Sequence, residues 1–275
     1  MILIRMIKGI IFIAIFLGVG FLYIKYLEKK SVFFPAKEIE FTPAAIGLSF
    51  EDVYLNTADN IQINGWFISQ EEAKYTILFL HGNGGNIGDR LEKIKMFYEM
   101  GVNMFIIDYR GYGNSKGKPH EKGIYKDAKA AYNYLVGKRG INPVDIVFYG
   151  ESLGGAAAIV LASQVKAGGL ILEGTFSSGR DMAKIMYPFM PSFFFPNLFD
   201  SLGKIKSVNA PKLFIHSRDD EVVPFRLGKK LYNAASSPKE LIEIEGPHNN
   251  VFLDSKEKYI SSIKRFIEQV SKKEL

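Results

Sequence analysis

Six short apolar runs dominate the chain beyond residue 75: TILFLHG, MFIIDYRG, DIVFYGES, LILEGT, KLFIHSRD and LIEIEGPH. Most place apolar residues on successive rather than alternate positions, the pattern of strands buried on both faces of a parallel sheet. Between most of them lie segments with helical spacing, such as residues 89–100 and 124–135. Strand alternating with helix predicts an α/β domain, which binds ligands at the carboxyl ends of its strands. Two earlier stretches, LSFEDVYLNT and IQINGWFIS, alternate with period two and read as a lead-in antiparallel hairpin. At 275 residues and 47% hydrophobic content the chain can build one large core.

The third run ends in GESLGGAAAI, which places Ser152 between Gly150 and Gly154. Gly-x-Ser-x-Gly between a buried strand and a helix of small residues is the context of a nucleophile elbow, where a serine hydroxyl stands exposed above a sheet. A serine is a weak nucleophile without a base. The chain has four histidines and no cysteine, so thiol catalysis and thiolate metal sites are excluded. His81 opens a Gly-rich loop, His120 lies in a polar loop and His216 ends a strand as a structural residue. Only His248, in IEGPHNNVF, comes late enough for the chain order Ser, acid, His of this architecture. The acid is sought on a loop between them: HSRDDEVVP supplies Asp220, with Asp219 its close rival and Glu173 a more distant candidate. Its task is to hold the imidazole in the right tautomer.

Acyl transfer also needs donors for the oxyanion. LHGNGGN follows the first buried strand, and the main-chain N–H groups of Asn83 and Leu153 are the expected pair. From Gly82 a dinucleotide fingerprint fails at Ile87, and no loop ends in Gly-Lys-Ser/Thr. Four scattered histidines without paired spacing argue against zinc. No cofactor is expected.

The first thirty residues carry +4 of the net +6 charge, and the balanced remainder is not the face of a nucleic-acid binder. From Gly9 to Ile24 there is no charge. As a helix this run spans about 24 Å, extended by apolar neighbours and by snorkelling Lys8 and Lys25. It is apolar all round, and no Ala-x-Ala-like cleavage site follows it. Residues 1–30 are therefore expected to be a single-pass anchor that partners the lipid bilayer, and 31–275 one catalytic domain. Positive charge flanks both ends; Arg5, Lys8 and the α-amino group favour an inside N-terminus and an extracytoplasmic catalytic domain.

VFFPAKE after the anchor, LHGNGGN, DYRGYGNSKG, GESLGG, LEGTFSS, HSRDDEVVP and GPHNN occur in that order. In these motifs the chain resembles the α/β-hydrolase superfamily, specifically its membrane-anchored serine-hydrolase branch with a short lid. In that family HSRDDEVVP usually reads His-Gly-x-x-Asp-x-x-Val-Pro, which puts the acid on Asp220; Ser217 here replaces the glycine. The family's serine and histidine fall on Ser152 and His248. The resemblance implies an eight-stranded, mostly parallel sheet with helices on both faces. It also implies hydrolysis of esters, thioesters or occasionally amides without a cofactor. MAKIMYPFMPSFFFPNLFDSLG, within a lid expected at about 175–210, is rich in Met, Phe and Pro and suits the wall of a pocket for an acyl chain. The leading expectation is a membrane-tethered serine hydrolase of hydrophobic acyl esters. A peptidase or amidase on the same fold is one alternative, and a catalytically silent scaffold at the membrane is another.

Overall fold

The structure, a computed structural model, describes residues 32–191, 195 and 197–271 together with scattered positions between 5 and 20. The apolar runs become the strands of one eight-stranded sheet: β1 (Glu51–Asn56), β2 (Gln62–Ile68), β3 (Thr76–Leu80), β4 (Asn103–Ile107), β5 (Ile146–Glu151), β6 (Gly169–Glu173), β7 (Lys212–Ser217) and β8 (Lys239–Ile244). Their spatial order is β8-β7-β6-β5-β3-β4-β2-β1. The lead-in hairpin pairs β1 antiparallel to β2, with Glu51 opposite Phe67 and Asn56 opposite Gln62. β2 in turn lies antiparallel to β4, and the remaining pairings are parallel.

The connecting helices are α1 (Leu91–Glu99), α2 (Glu121–Asn133), α3 (Leu153–Ala162), α4 (Gly179–Met186), α5 (Phe225–Ala234) and α6 (Lys256–Ser271). Side chains alternate across the sheet. On β5, Val147 and Tyr149 pack with Ile94 and Phe97 of α1 and with Tyr259 and Ile263 of α6. Phe148 faces the opposite layer, with Ala128 of α2, Ala156 of α3 and Leu227 of α5. Helix α2 begins before the expected Ile124 because His120 caps it, its ring nitrogen Nδ1 accepting the Gly123 N–H at 3.1 Å. That gives His120 a local structural task.

None of the described helices is long and apolar enough to cross a membrane. The anchor expected over residues 1–30 lies for the most part outside the described residues. Met6, Ile7, Ile11, Phe12 and Ile15, which are described, are helical and exposed.

Helix α3 is buried along its whole length, and its first turn presses on the ends of β3 and β5. A Cβ on Gly154 would stand 1.9 Å from the Leu80 carbonyl oxygen, and one on Gly150 would stand 2.5 Å from the Gly155 Cα. Both obstacles are main chain, which has nowhere to go. Gly154→Ala is therefore expected to push α3 off the sheet and to destabilise the protein by about 1–3 kcal/mol, the usual cost of overpacking. Urea unfolding of the variant against the parent chain measures it.

Candidate active site

The site is assembled at the carboxyl ends of β3, β5, β6, β7 and β8. Ser152 follows β5 and caps α3 with φ 51° and ψ −113°, a left-handed backbone that non-glycine residues seldom adopt. Two main-chain bonds hold it there. Its N–H donates to the Glu173 carbonyl at 2.8 Å, and its own carbonyl accepts the Gly155 N–H at 3.0 Å. The strand, turn and helix of an elbow are thus all present.

His248 sits on the loop after β8, mostly buried. Its Nδ1–H donates to Asp220 Oδ2 at 2.7 Å. The other carboxylate oxygen accepts the N–H groups of Val222 (3.0 Å) and Val223 (2.6 Å), so Asp220 is aimed by its own loop. His216 donates from Nε2 to the Val223 carbonyl at 2.8 Å and lies 3.4 Å from Asp220, which makes it a support for that loop. Burial raises the Asp220 carboxyl, but bonds from His216 and His248 outweigh it and hold the group well below the usual carboxylate range. Burial would lower His248; the hydrogen bond and charge of Asp220 prevail and raise it above the ordinary 6.5. Asp219 turns away, its Oδ2 3.4 Å from the Gly246 N–H. Neighbouring Glu221 accepts the main-chain N–H of His248 at 3.0 Å.

The other expected acid, Glu173, is committed elsewhere. It accepts a 2.8 Å bond from Lys93 and bonds from the hydroxyls of Tyr149 and Tyr259. Lys93 also lies 3.2 Å from Glu151, the residue before the elbow serine, and Arg90 stands 3.7 Å from the same carboxylate. Burial disfavours charge on Lys93, yet the two carboxylates raise its affinity for the proton. Sequence reasoning missed this buried ionic group. His81 is buried against Tyr109 and Tyr112, and burial followed by the charge of Arg90 pushes it down to about 3. It therefore stays neutral at ordinary pH. Among the described residues no group of three or more His, Asp or Glu side chains converges to hold a metal ion.

Leu153 is the first residue of α3, so its N–H has no carbonyl one turn back to bond. Asn83, on the loop after β3, and Leu153 line one cavity together with Ser152. The chain segment that precedes the sheet proves to be part of this loop. Phe34–Pro35 pairs with Gly84–Gly85 as a short parallel ladder. Phe34 N–H donates to the Asn83 carbonyl at 3.0 Å, Ala36 N–H to that of Gly85 at 3.0 Å, and the Tyr112 hydroxyl to that of Asn83 at 2.7 Å. The Asn83 side-chain amide donates to the Val32 carbonyl at 3.1 Å. That amide is engaged, so the donor Asn83 can offer to a ligand is its main-chain N–H. The motif VFFPAKE was visible in the sequence; its contact with a loop some fifty residues away was not.

Two spaces meet at Ser152. One, of about 180 Å³, is lined by apolar side chains that include Phe176, Met182, Met186, Phe195, Leu198 and Phe199. The segment expected as a lid supplies all six. The other, of about 420 Å³, is polar and includes Asp89, Arg90, Glu151, His248 and Asn249.

Comparison with known proteins agrees with this geometry. A family model described as serine aminopeptidase, S33, matches residues 71–202. An Arabidopsis thaliana relative, the alpha/beta hydrolase domain-containing protein WAV2, is 34% identical over 270 residues, covering 88% of each chain. A Saccharomyces cerevisiae relative named only as an uncharacterized membrane protein is 37% identical over 221 residues, covering 77% of this chain and 78% of that one. In solved structures the fold matches the Pyrococcus furiosus esterase Pf2001 with a TM-score of 0.73 at 22% identity, over 86% of this chain and 97% of that one. With this sheet order, this elbow and relatives matched along most of its length, the chain belongs to the α/β-hydrolase superfamily.

Proposed function

We propose that the protein is a membrane-tethered serine hydrolase that cleaves carboxylic esters or thioesters of hydrophobic acids. One observation carries this reading: Ser152, on a strained elbow, lies where an apolar cavity meets a polar opening lined by His248, whose ring is bonded to Asp220 behind it. The acyl chain occupies the apolar side. Ser152 Oγ attacks the acyl carbon while Nε2 of His248 takes its proton. The N–H groups of Asn83 and Leu153 stabilise the oxyanion. Collapse expels the alcohol or thiol, which leaves with the proton from His248, and an acyl group remains on Ser152. Water, activated by the same imidazole, releases the acid. Asp220 keeps the imidazole oriented and its charge compensated. Residues 1–30 tether the domain to the bilayer, with the catalytic side extracytoplasmic. The family model's description favours a second reading, amide bond cleavage by the same residues. Matched ester and amide substrates separate the two.

Ser152→Ala is expected to abolish labelling by a fluorophosphonate probe and to reduce ester turnover by several orders of magnitude. Near-normal turnover of the purified variant would refute the mechanism and leave a scaffold.

The base must be neutral to act, so kcat/KM is expected to fall as pH drops through a value above 6.5, the ordinary imidazole position. Asp220→Asn removes the bond and charge that raise it. Turnover should fall by about 10³–10⁴ and the acid limb should move to lower pH. Asp219→Asn should leave both near those of the parent chain. A pH–rate series on a soluble ester measures all three proteins.

Asn83→Ala keeps the main-chain donor but cuts the tie to Val32. Loss of one such bond corresponds to about a two- to tenfold effect. The loss is expected in kcat, with KM unchanged and with a boronic acid transition-state analogue weakened by the same factor. A change confined to KM would assign the residue to substrate binding instead.

A further inference from the structure

Three apolar side chains that line the catalytic cavities, Met186, Phe34 and Val222, stand largely in water, and Phe189 stands fully in water on the same segment, between Met186 and Met190, which both line the apolar cavity. Phe189 is 100% exposed, Met186 56%, Phe34 53% and Val222 45%. They come from three separate parts of the chain: the segment before the sheet, the segment after β6 and the loop after β7. Met186 and Val222 line the apolar cavity, and Phe34 and Val222 the polar opening, whereas Phe189 lines neither. Scattered exposed apolar residues are ordinary, but several gathered around one opening mark a surface that meets something apolar.

The position of the tether says what that is. The uncharged N-terminal run ends at Ile24, and Val32, eight residues later, already lines the cavity. Eight residues of fully extended chain reach at most about 29 Å, and helical chain about 12 Å. The anchor therefore joins the domain at the cavity mouth, not at its far side. A tether at that point holds the mouth beside the bilayer, and the apolar ring is the part of the rim that gains by entering it.

Resting on the reading of a membrane-tethered hydrolase, we infer that the mouth docks on the leaflet in which the anchor sits, and that the substrate is an acyl ester resident in that leaflet. Phe189 enters the acyl region of the membrane. The ester reaches Ser152 along the apolar side without crossing water, and the polar opening takes the alcohol away.

The test uses the full chain reconstituted in phosphatidylcholine vesicles. The protein has a single tryptophan, Trp66, and it is buried at 2% exposure, so Phe189→Trp adds a reporter at the ring. Lipids brominated on their acyl chains are expected to quench the variant's added emission and to leave the parent chain nearly unquenched. Phe189→Glu is expected to slow hydrolysis of a long-chain fluorogenic ester embedded in the vesicles by about tenfold or more, the order of burying one Phe side chain. On p-nitrophenyl butyrate in solution the same variant should match the parent. No quenching in protein that floats with the vesicles would overturn the docking, as would an equal effect of Phe189→Glu on both substrates. Concentration-dependent crosslinking through the ring, with no bromine-dependent quenching, would assign the ring to self-association and overturn it too. Failure to float would remove the tether and the inference together. Failure of the hydrolase reading is separately visible, as absence of turnover on the soluble ester by the parent chain.

Discussion

The site depends on a backbone that the chain would not adopt unaided. At φ 51° and ψ −113°, Ser152 carries a strain on the order of 1–3 kcal/mol, which persists only where the surroundings over-determine it. Here they do. The serine's N–H is bonded to the end of β6, its carbonyl to the first turn of α3, and α3 is pressed on β3 through a glycine that has no room for a Cβ. The strained backbone sets Ser152 where the two cavities meet, with Leu153 next to it lining the apolar one.

Beneath the elbow the same strand ends carry Glu151 and Glu173, two carboxylates on adjacent strands in register with each other. Left alone they would repel in a poorly solvated place. Lys93 projects from α1 between them, and Tyr149 and Tyr259 supply hydroxyl donors to Glu173. Burial of such a group gains little stability, but removing one partner leaves uncompensated charge at a cost of about 3–5 kcal/mol. The group therefore fixes the spacing of β5, β6 and α1 under the serine. It also explains why Glu173, although close to the site in sequence logic, does not serve His248.

Much of this was legible because it is local. Buried strands announce themselves by unbroken apolar runs, and the elbow by glycines at fixed offsets from Ser152. His248 follows from chain order alone. The choice between Asp219 and Asp220 was not readable from composition, since adjacent acids differ only in which way the loop turns. The N–H groups of Val222 and Val223 make that choice. Lys93 looked like one more lysine on an amphipathic helix, because no periodicity distinguishes a lysine that faces two buried carboxylates from one in water. The ladder of Phe34–Pro35 on Gly84–Gly85 was hidden for a similar reason. Main-chain bonds leave little trace in side-chain pattern, and this one closes a loop of about fifty residues.

Under the proposed hydrolase mechanism, the His248–Asp220 pair sets the demands of stability and activity against each other. Asp220 is lowered in the folded protein, so its contribution to stability is present above the ordinary carboxylate value of 3.8 and is lost as pH falls through its folded value. His248 is raised, so its contribution is full below the ordinary 6.5 and is lost as pH rises through its folded value. The charged pair thus stabilises the fold fully between those two ordinary values, where the imidazolium cannot accept the serine proton. Above the folded value of His248 the imidazole is free to act, and the charge attraction that held it has gone. What remains to hold it is neutral: the Nδ1–H bond to Asp220, and the Glu221 bond to its main-chain N–H. These keep the ring in the tautomer that leaves Nε2 without the proton, after the ion pair has ceased to help.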